Sequence, residues 1–159
     1  MAYADRASVM RVREVPEERG VRVEVVDLER TARSAVEAAE ALGCGVEQIV
    51  KSLVFRGENT GRSILVLASG PNRVNEERIS ELVSEPVAKA NAAFVRDKTG
   101  YAIGGVPPIG HAEAPVTFVD EDLARQEEVW AAAGHTHVVF GLHPSELIEA
   151  TGGTVIPVK

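Results

Sequence analysis

The stretch Tyr101-Ala-Ile-Gly-Gly-Val-Pro-Pro-Ile-Gly-His111 constrains the fold of this chain more than any other. Two adjacent glycines, two adjacent prolines and a third glycine cannot continue a helix or sit in the middle of a sheet. Gly104 and Gly105 admit positive φ and a close backbone approach, while Pro107 and Pro108 fix φ near about −65° and carry no N–H. The pattern predicts a rigid, shaped loop. Such a loop either makes a tight connection between strands or aims its remaining N–H groups into a concavity that holds an anion or a developing oxyanion.

Around this loop the chain alternates between strand and helix patterns. Residues 5 to 19 carry Val9, Met10, Val12 and Val15 at amphipathic spacing, and Val21 to Asp27 alternates as a strand. Ser34-Ala-Val-Glu37 has capping-box spacing and opens an alanine-rich helix that stops at Leu42-Gly43. Gln48 to Arg56 and Ser63 to Ala68 are apolar enough to be buried strands, joined by the turn Glu58-Asn-Thr-Gly61. Helices are expected over 75–83, near 91–98, over 123–133 with Trp130 inside, and from Pro144 to Ala150; strands are expected at 116–119, 137–141 and 154–157. Without strict βα alternation, internal repeat or linker, one mixed α/β domain spanning 1–159, α+β-like around one twisted sheet, follows.

Composition then narrows the function. At 159 residues and 45% hydrophobic content the chain can bury a sizeable core, and no run reaches the roughly 20 apolar residues that span a bilayer. A net charge of −7 argues against broad binding to a nucleic-acid backbone, DNA above all. A single cysteine, Cys44, excludes an internal disulfide or a cysteine metal cluster, and the N-terminus lacks a signal-peptide pattern, so a cytoplasmic location without membrane contact is expected.

Lys51 is the anomaly in an apolar strand. By alternation it shares a face with Leu53 and Phe55, where an ammonium lines a cleft and holds a phosphate or polarises an ester carbonyl, or else snorkels outward. His135-Thr-His137 is the only close histidine pair, with no supporting ligand spacing, so no metal and no cofactor are expected. Asp120-Glu-Asp122 suits a helix N-terminus, and Arg73 a surface turn. No Gly-x-Ser-x-Gly elbow, Walker loop or dinucleotide fingerprint is present.

Three stretches taken together, Val46 to Phe55, Tyr101 to His111 and Pro144-Ser-Glu-Leu-Ile-Glu-Ala-Thr-Gly152, resemble the YbaK and prolyl-tRNA synthetase associated editing domain family, free-standing deacylases of wrongly charged tRNA. The likeness runs from about Val21 onward, in the family's order. It implies a mixed α/β domain with a central curved sheet flanked by helices, and a cleft between the lysine strand and the glycine loop. Lys51 falls on the family's lysine, Gly104 and Gly105 on its glycine loop, and Thr31 and Ser34 on its amino-acid pocket. Ser52, Ile103 and Pro108 join them as substrate-binding positions, and His111, where subgroups differ, as a catalytic one. The implied reaction is substrate-assisted hydrolysis of an aminoacyl ester, with Lys51 on the terminal phosphate or carbonyl end and the Gly104 and Gly105 N–H groups on the oxyanion. The implied substrate is tRNA(Pro) carrying alanine or another small residue; the alternatives are a Cys-tRNA(Pro) deacylase, a small-molecule esterase and a non-catalytic binder of nucleotide or tRNA ends. The partner is then the acceptor end of aminoacyl-tRNA, delivered with help from prolyl-tRNA synthetase or an elongation factor.

Overall fold

The computed structural model describes residues 24–28, 34–135 and 137–159. The helix expected over 5–19, the start of the strand over 21–27 and Thr31 lie outside the described residues. The chain is a mixed α/β domain. Its backbone is the hairpin of β2 (Val50–Gly57) and β3 (Ser63–Ser69), in which every residue of β3 is buried. The turn between them is tied down by Glu85, whose carboxylate accepts from the N–H groups of Asn59 and Thr60 and from Arg62 Nε.

Three further strands extend this hairpin into a sheet of order β4-β2-β3-β5-β8. β4 (Val87–Lys89) runs antiparallel along the far end of β2, while β5 (Val116–Asp120) and β8 (Thr154–Ile156) run parallel to β3. A second, antiparallel sheet has the order β1-β7-β6, from β1 (Glu24–Asp27), β6 (Val129–His135) and β7 (Val138–Leu142). The strands therefore divide between two sheets, joined where Ile49 forms an isolated parallel bridge to Trp130.

The helices begin where short polar side chains can cap them. Ser34, Asn75 and Asn91 each accept a backbone N–H at the start of α1 (Ala35–Leu42), α2 (Glu76–Val83) and α3 (Ala92–Thr99). Asp120 caps the short α4 (Glu121–Ala124), as its acidic run predicts, and His143 with Glu146 closes a capping box on α5 (Pro144–Thr151). Alternation along the hairpin separates two cores. Val50, Leu65 and Leu67 pack with Tyr101, Phe140 and Leu147, while Phe55, Ile64, Val66 and Ala68 pack with Ile79 and Val83 of α2. Each such large side chain contributes about 1.5–3 kcal/mol on burial, so the register of β2 is strongly fixed. Lys51 and Leu53 fall on the α2 side, as the alternation predicts.

The helix expected over 123–133 is corrected: α4 ends at Ala124 and residues 129–135 are β6. Trp130-Ala-Ala-Ala favours a helix by propensity, but pairing with β7 buries Val129, Ala131 and Ala133 on one side. Trp130 lies across from Gly141, where a Cβ would come within 2.9 Å of the indole ring. β4 is a strand that the sequence pattern did not indicate.

Candidate active site

The outer edge of β2 is covered at one end by the bridge from Ile49 to Trp130 and at the other by β4, which pairs from Phe55 onward. Between these supports the edge is open, and a two-lobed cleft occupies the break. The first lobe has a volume of about 440 Å³ and the second about 330 Å³. Both are lined by Lys51, Ser52 and Leu53 on one bank and by Ile103, Gly104 and Val106 on the other. The first lobe adds Arg73, Glu76 and Lys89. The second is mostly small and apolar, with Ala35, Ala38, Ala132 and Val138, and adds Ser34 and His135.

Lys51 sits where the lobes meet. Its Nζ donates to the backbone carbonyl of Asn72 at 2.5 Å, which fixes the side chain toward the turn after β3. That turn is held by Asp120, only 1% exposed, whose Oδ2 accepts from Ser69 N–H at 3.0 Å and Asn72 Nδ2 at 2.7 Å. Burial holds the Lys51 pKa below the ordinary lysine range, and the charge of Asp120 pulls it partly back. The result is an ammonium that is anchored on one side, with part of its solvation removed. Such a group gains from an incoming phosphate or carbonyl oxygen.

The opposite bank is a turn of defined type. Gly105 N–H donates to Ala102 C=O at 3.1 Å, and Gly104, the third residue of that turn, has φ +92°. A closing bond with positive φ at the third position is a type II turn, which places Ile103, 55% exposed, at its tip and requires glycine at 104. Gly105 serves a different need. A Cβ there would meet His135 Cα and N at 3.1 Å, so its lack of a side chain lets the loop rest on the end of β6. Gly104 N–H has no partner among the described residues, whereas the N–H of Gly105 is occupied by the turn.

The structure thus brings Lys51, Ser52, Ile103, Gly104 and Ser34 together around the cleft and leaves Gly105, Pro108 and His111 outside both lobes. Ser34 Oγ also accepts from Glu37 N–H, so its first role is to cap α1. Pro108 is buried within the loop. His111 Nε2 lies 2.6 Å from Pro107 C=O and must carry the proton, which leaves Nδ1 buried without a partner. Burial lowers its pKa, so the ring is neutral at pH 7, a brace of the loop. Sequence reasoning missed His135 as a cleft residue because it placed the preceding segment in a helix. His135 Nδ1 accepts from His137 N–H, so its neutral ring is protonated on Nε2, and the two imidazoles stand 5.1 Å apart. Among the described residues no three His, Cys, Asp or Glu side chains converge as metal ligands. The Cys44 thiol lies outside both lobes, and burial, then Glu128 and Glu47, push its pKa up, away from thiolate chemistry.

The family model for the aminoacyl-tRNA editing domain matches residues 29–150, which include both banks of the cleft. The chain belongs to that family. An editing domain of this kind is similar over 79% of its length, at 32% identity, to the uncharacterized protein YwhH of Bacillus subtilis (strain 168), covering 80% of that protein. It is 26% identical, over 76% of its own length and 73% of the relative's, to the "Putative Cys-tRNA(Pro)/Cys-tRNA(Cys) deacylase EbsC" of Enterococcus faecalis (strain ATCC 700802 / V583). Among solved structures, one described as a "putative trans-editing enzyme for prolyl tRNA synthetase" superposes with a TM-score of 0.91 at 44% identity, covering 97% of this chain and 98% of that one. No helix among the described residues of this editing domain is long and apolar enough to cross a membrane.

Proposed function

We propose that this chain hydrolyses the ester of mischarged aminoacyl-tRNA in trans, with tRNA(Pro) carrying alanine or another small residue as its substrate. The observation that carries the reading is the anchored, partly desolvated ammonium of Lys51 at the junction of two lobes, of which only the first adds the cations Arg73 and Lys89. An aminoacyl ester has the matching asymmetry: a small side chain on one side of the carbonyl, a nucleotide with phosphates on the other. The second lobe, walled by alanines and valines, suits the side chain, and the first, with Arg73 and Lys89, suits the single-stranded 3′ end. The ester is already activated, so positioning, charge stabilisation on the carbonyl oxygen and an admitted water are sufficient. Lys51 holds the terminal phosphate or the carbonyl end, Gly104 N–H faces the developing oxyanion, and the ribose hydroxyl of the substrate assists the water. No cofactor enters this scheme.

A second hydrolytic pocket is the expected remedy for a synthetase site, because a missing methylene gives only about 1–3 kcal/mol of discrimination. The names of the relatives support both the prolyl connection and cysteine as an alternative side chain. The test is ester loss from tRNA(Pro) charged separately with alanine, cysteine, serine and proline. Rapid clearance of alanine with proline spared is expected. Selective clearance of cysteine would move the substrate to the alternative, and binding of every species without turnover would replace the enzyme by a binding module.

A further inference from the structure

The break in the β2 edge leaves one residue's backbone without a strand partner. In an antiparallel strand the N–H and C=O of a residue point to the same side, and successive residues alternate. Val54 C=O accepts from Ala90 N–H and Glu58 N–H donates to Pro86 C=O, so even-numbered residues of β2 point outward. Gly57 N–H donates back across the hairpin to Arg62 C=O, which sets the odd-numbered ones toward β3. The bridge centred on Ile49 turns its neighbours, Gln48 and Val50, toward Trp130 by the same parity. Ser52 therefore stands alone between the two supports, with its N–H and C=O directed off the sheet edge into the residues that line both lobes. The pairing with β4 begins only at Phe55 and the bridge to Trp130 stops at Ile49, so no strand pairs with Ser52 on that side, and Ser52 Oγ is buried without a partner.

A backbone N–H and C=O left over at an open stretch of strand edge offer a ready-made donor and acceptor to whatever enters the cleft. We propose that Ser52 holds the aminoacyl group through its backbone: its N–H donates to the ester carbonyl oxygen and its C=O accepts from the substrate's α-ammonium. This deepens the deacylase reading and rests on it. The assignment supplies the second oxyanion donor that Gly105, committed to its own turn, cannot provide. In the step so described, the water oxygen bonds to the carbonyl carbon and gives up a proton, and negative charge collects on the former carbonyl oxygen between Ser52 N–H and Gly104 N–H. Collapse of that adduct breaks the bond to the ribose oxygen, which takes the proton. The products are the tRNA's terminal hydroxyl and the free amino acid, whose carboxyl proton passes to solvent.

The test replaces residue 52 by the α-hydroxy acid of the same side chain, so that an ester oxygen stands where the N–H was. Single-turnover deacylation should fall by about 10²–10³-fold, the loss typical of one oxyanion donor. A folded ester variant that keeps the wild-type rate would overturn the proposal. Should the ester variant not fold, the wild-type amide proton of Ser52 is followed by NMR as the non-hydrolysable amide analogue of alanyl-adenosine is added. A downfield shift of that resonance is expected; movement of other cleft resonances with Ser52 unmoved would overturn the proposal. A wild-type protein inert toward every aminoacyl-tRNA would instead sink the deacylase reading, and the Ser52 resonance would still decide whether the backbone takes a carbonyl ligand.

Discussion

Gly105→Ala separates two roles that a glycine beside a cleft can have. The added Cβ would stand 3.1 Å from His135 Cα and N and 3.2 Å from the Gly134 carbonyl carbon. All three are backbone atoms of β6, where His135 pairs with Val138 and Gly134 lies in the irregularity just before it, so relief requires a shift of a few tenths of an ångström in the loop or at that irregularity. Overpacking of this kind costs about 1–3 kcal/mol, and one contact point at the end of a strand belongs in the lower half of that range. For a chain of 159 residues, about 1–2 kcal/mol lowers Tm by roughly 2–8 °C. Because Gly105 N–H closes the turn that carries Gly104, the bank of the cleft moves with it. A misplacement of about 1 Å costs roughly 10²-fold in rate, so a few tenths of an ångström should lower kcat/KM for deacylation by about 3–10-fold. Thermal denaturation and single-turnover deacylation on the same preparation check both numbers. Unchanged stability together with a loss of 10²-fold or more, at about the cost of an oxyanion donor, would refute the reasoning and return Gly105 to the chemistry.

His111→Phe should leave deacylation near wild type, because the ring lies outside both lobes. Its lowered pKa makes the folded state prefer the neutral ring, so wild-type stability is full above the unfolded value of about 6.5 and falls as pH drops through it; denaturation midpoints for the variant should be flatter over that window. Steady-state deacylation of Arg73→Gln and Lys89→Gln proteins should show a raised KM for aminoacyl-tRNA and a log–log salt slope shallower by about 0.7 per lost phosphate contact, with aminoacyl-adenosine turnover unaffected. An equal loss on both substrates would place these side chains at the chemistry.

Much of this was legible in the sequence because periodicity and caps report local physics. The alternation in Val50 to Phe55 put Lys51 on the right face, and Asp120, Ser34 and the proline of α5 marked helix starts that the structure confirms. The misread segment was β6. Three alanines after a tryptophan satisfy helix propensity, and only the distant Gly141, which makes room for the indole, reveals a strand. That error concealed His135, since a histidine's place in a cleft depends on which element carries it. The glycines and prolines of 101–111 announce a shaped loop, but which N–H it spends on its own turn is a matter of dihedral angles. The break in the β2 edge was illegible for a related reason: β4 and the Ile49 bridge are long-range pairings that no local pattern announces.

Lys51→Met offers the most direct test of the account. The change removes the hydrogen bond to Asn72 C=O, worth about 1.5–3 kcal/mol, together with the cost of desolvating the ammonium, so the two offset and stability should change by about 1 kcal/mol or less. The decisive measurement is single-turnover hydrolysis of alanyl-tRNA(Pro) by this protein beside the wild type. A folded variant whose rate has fallen by at least about 10²-fold is expected. A folded Lys51→Met protein that clears the ester at the wild-type rate would contradict the role given to Lys51.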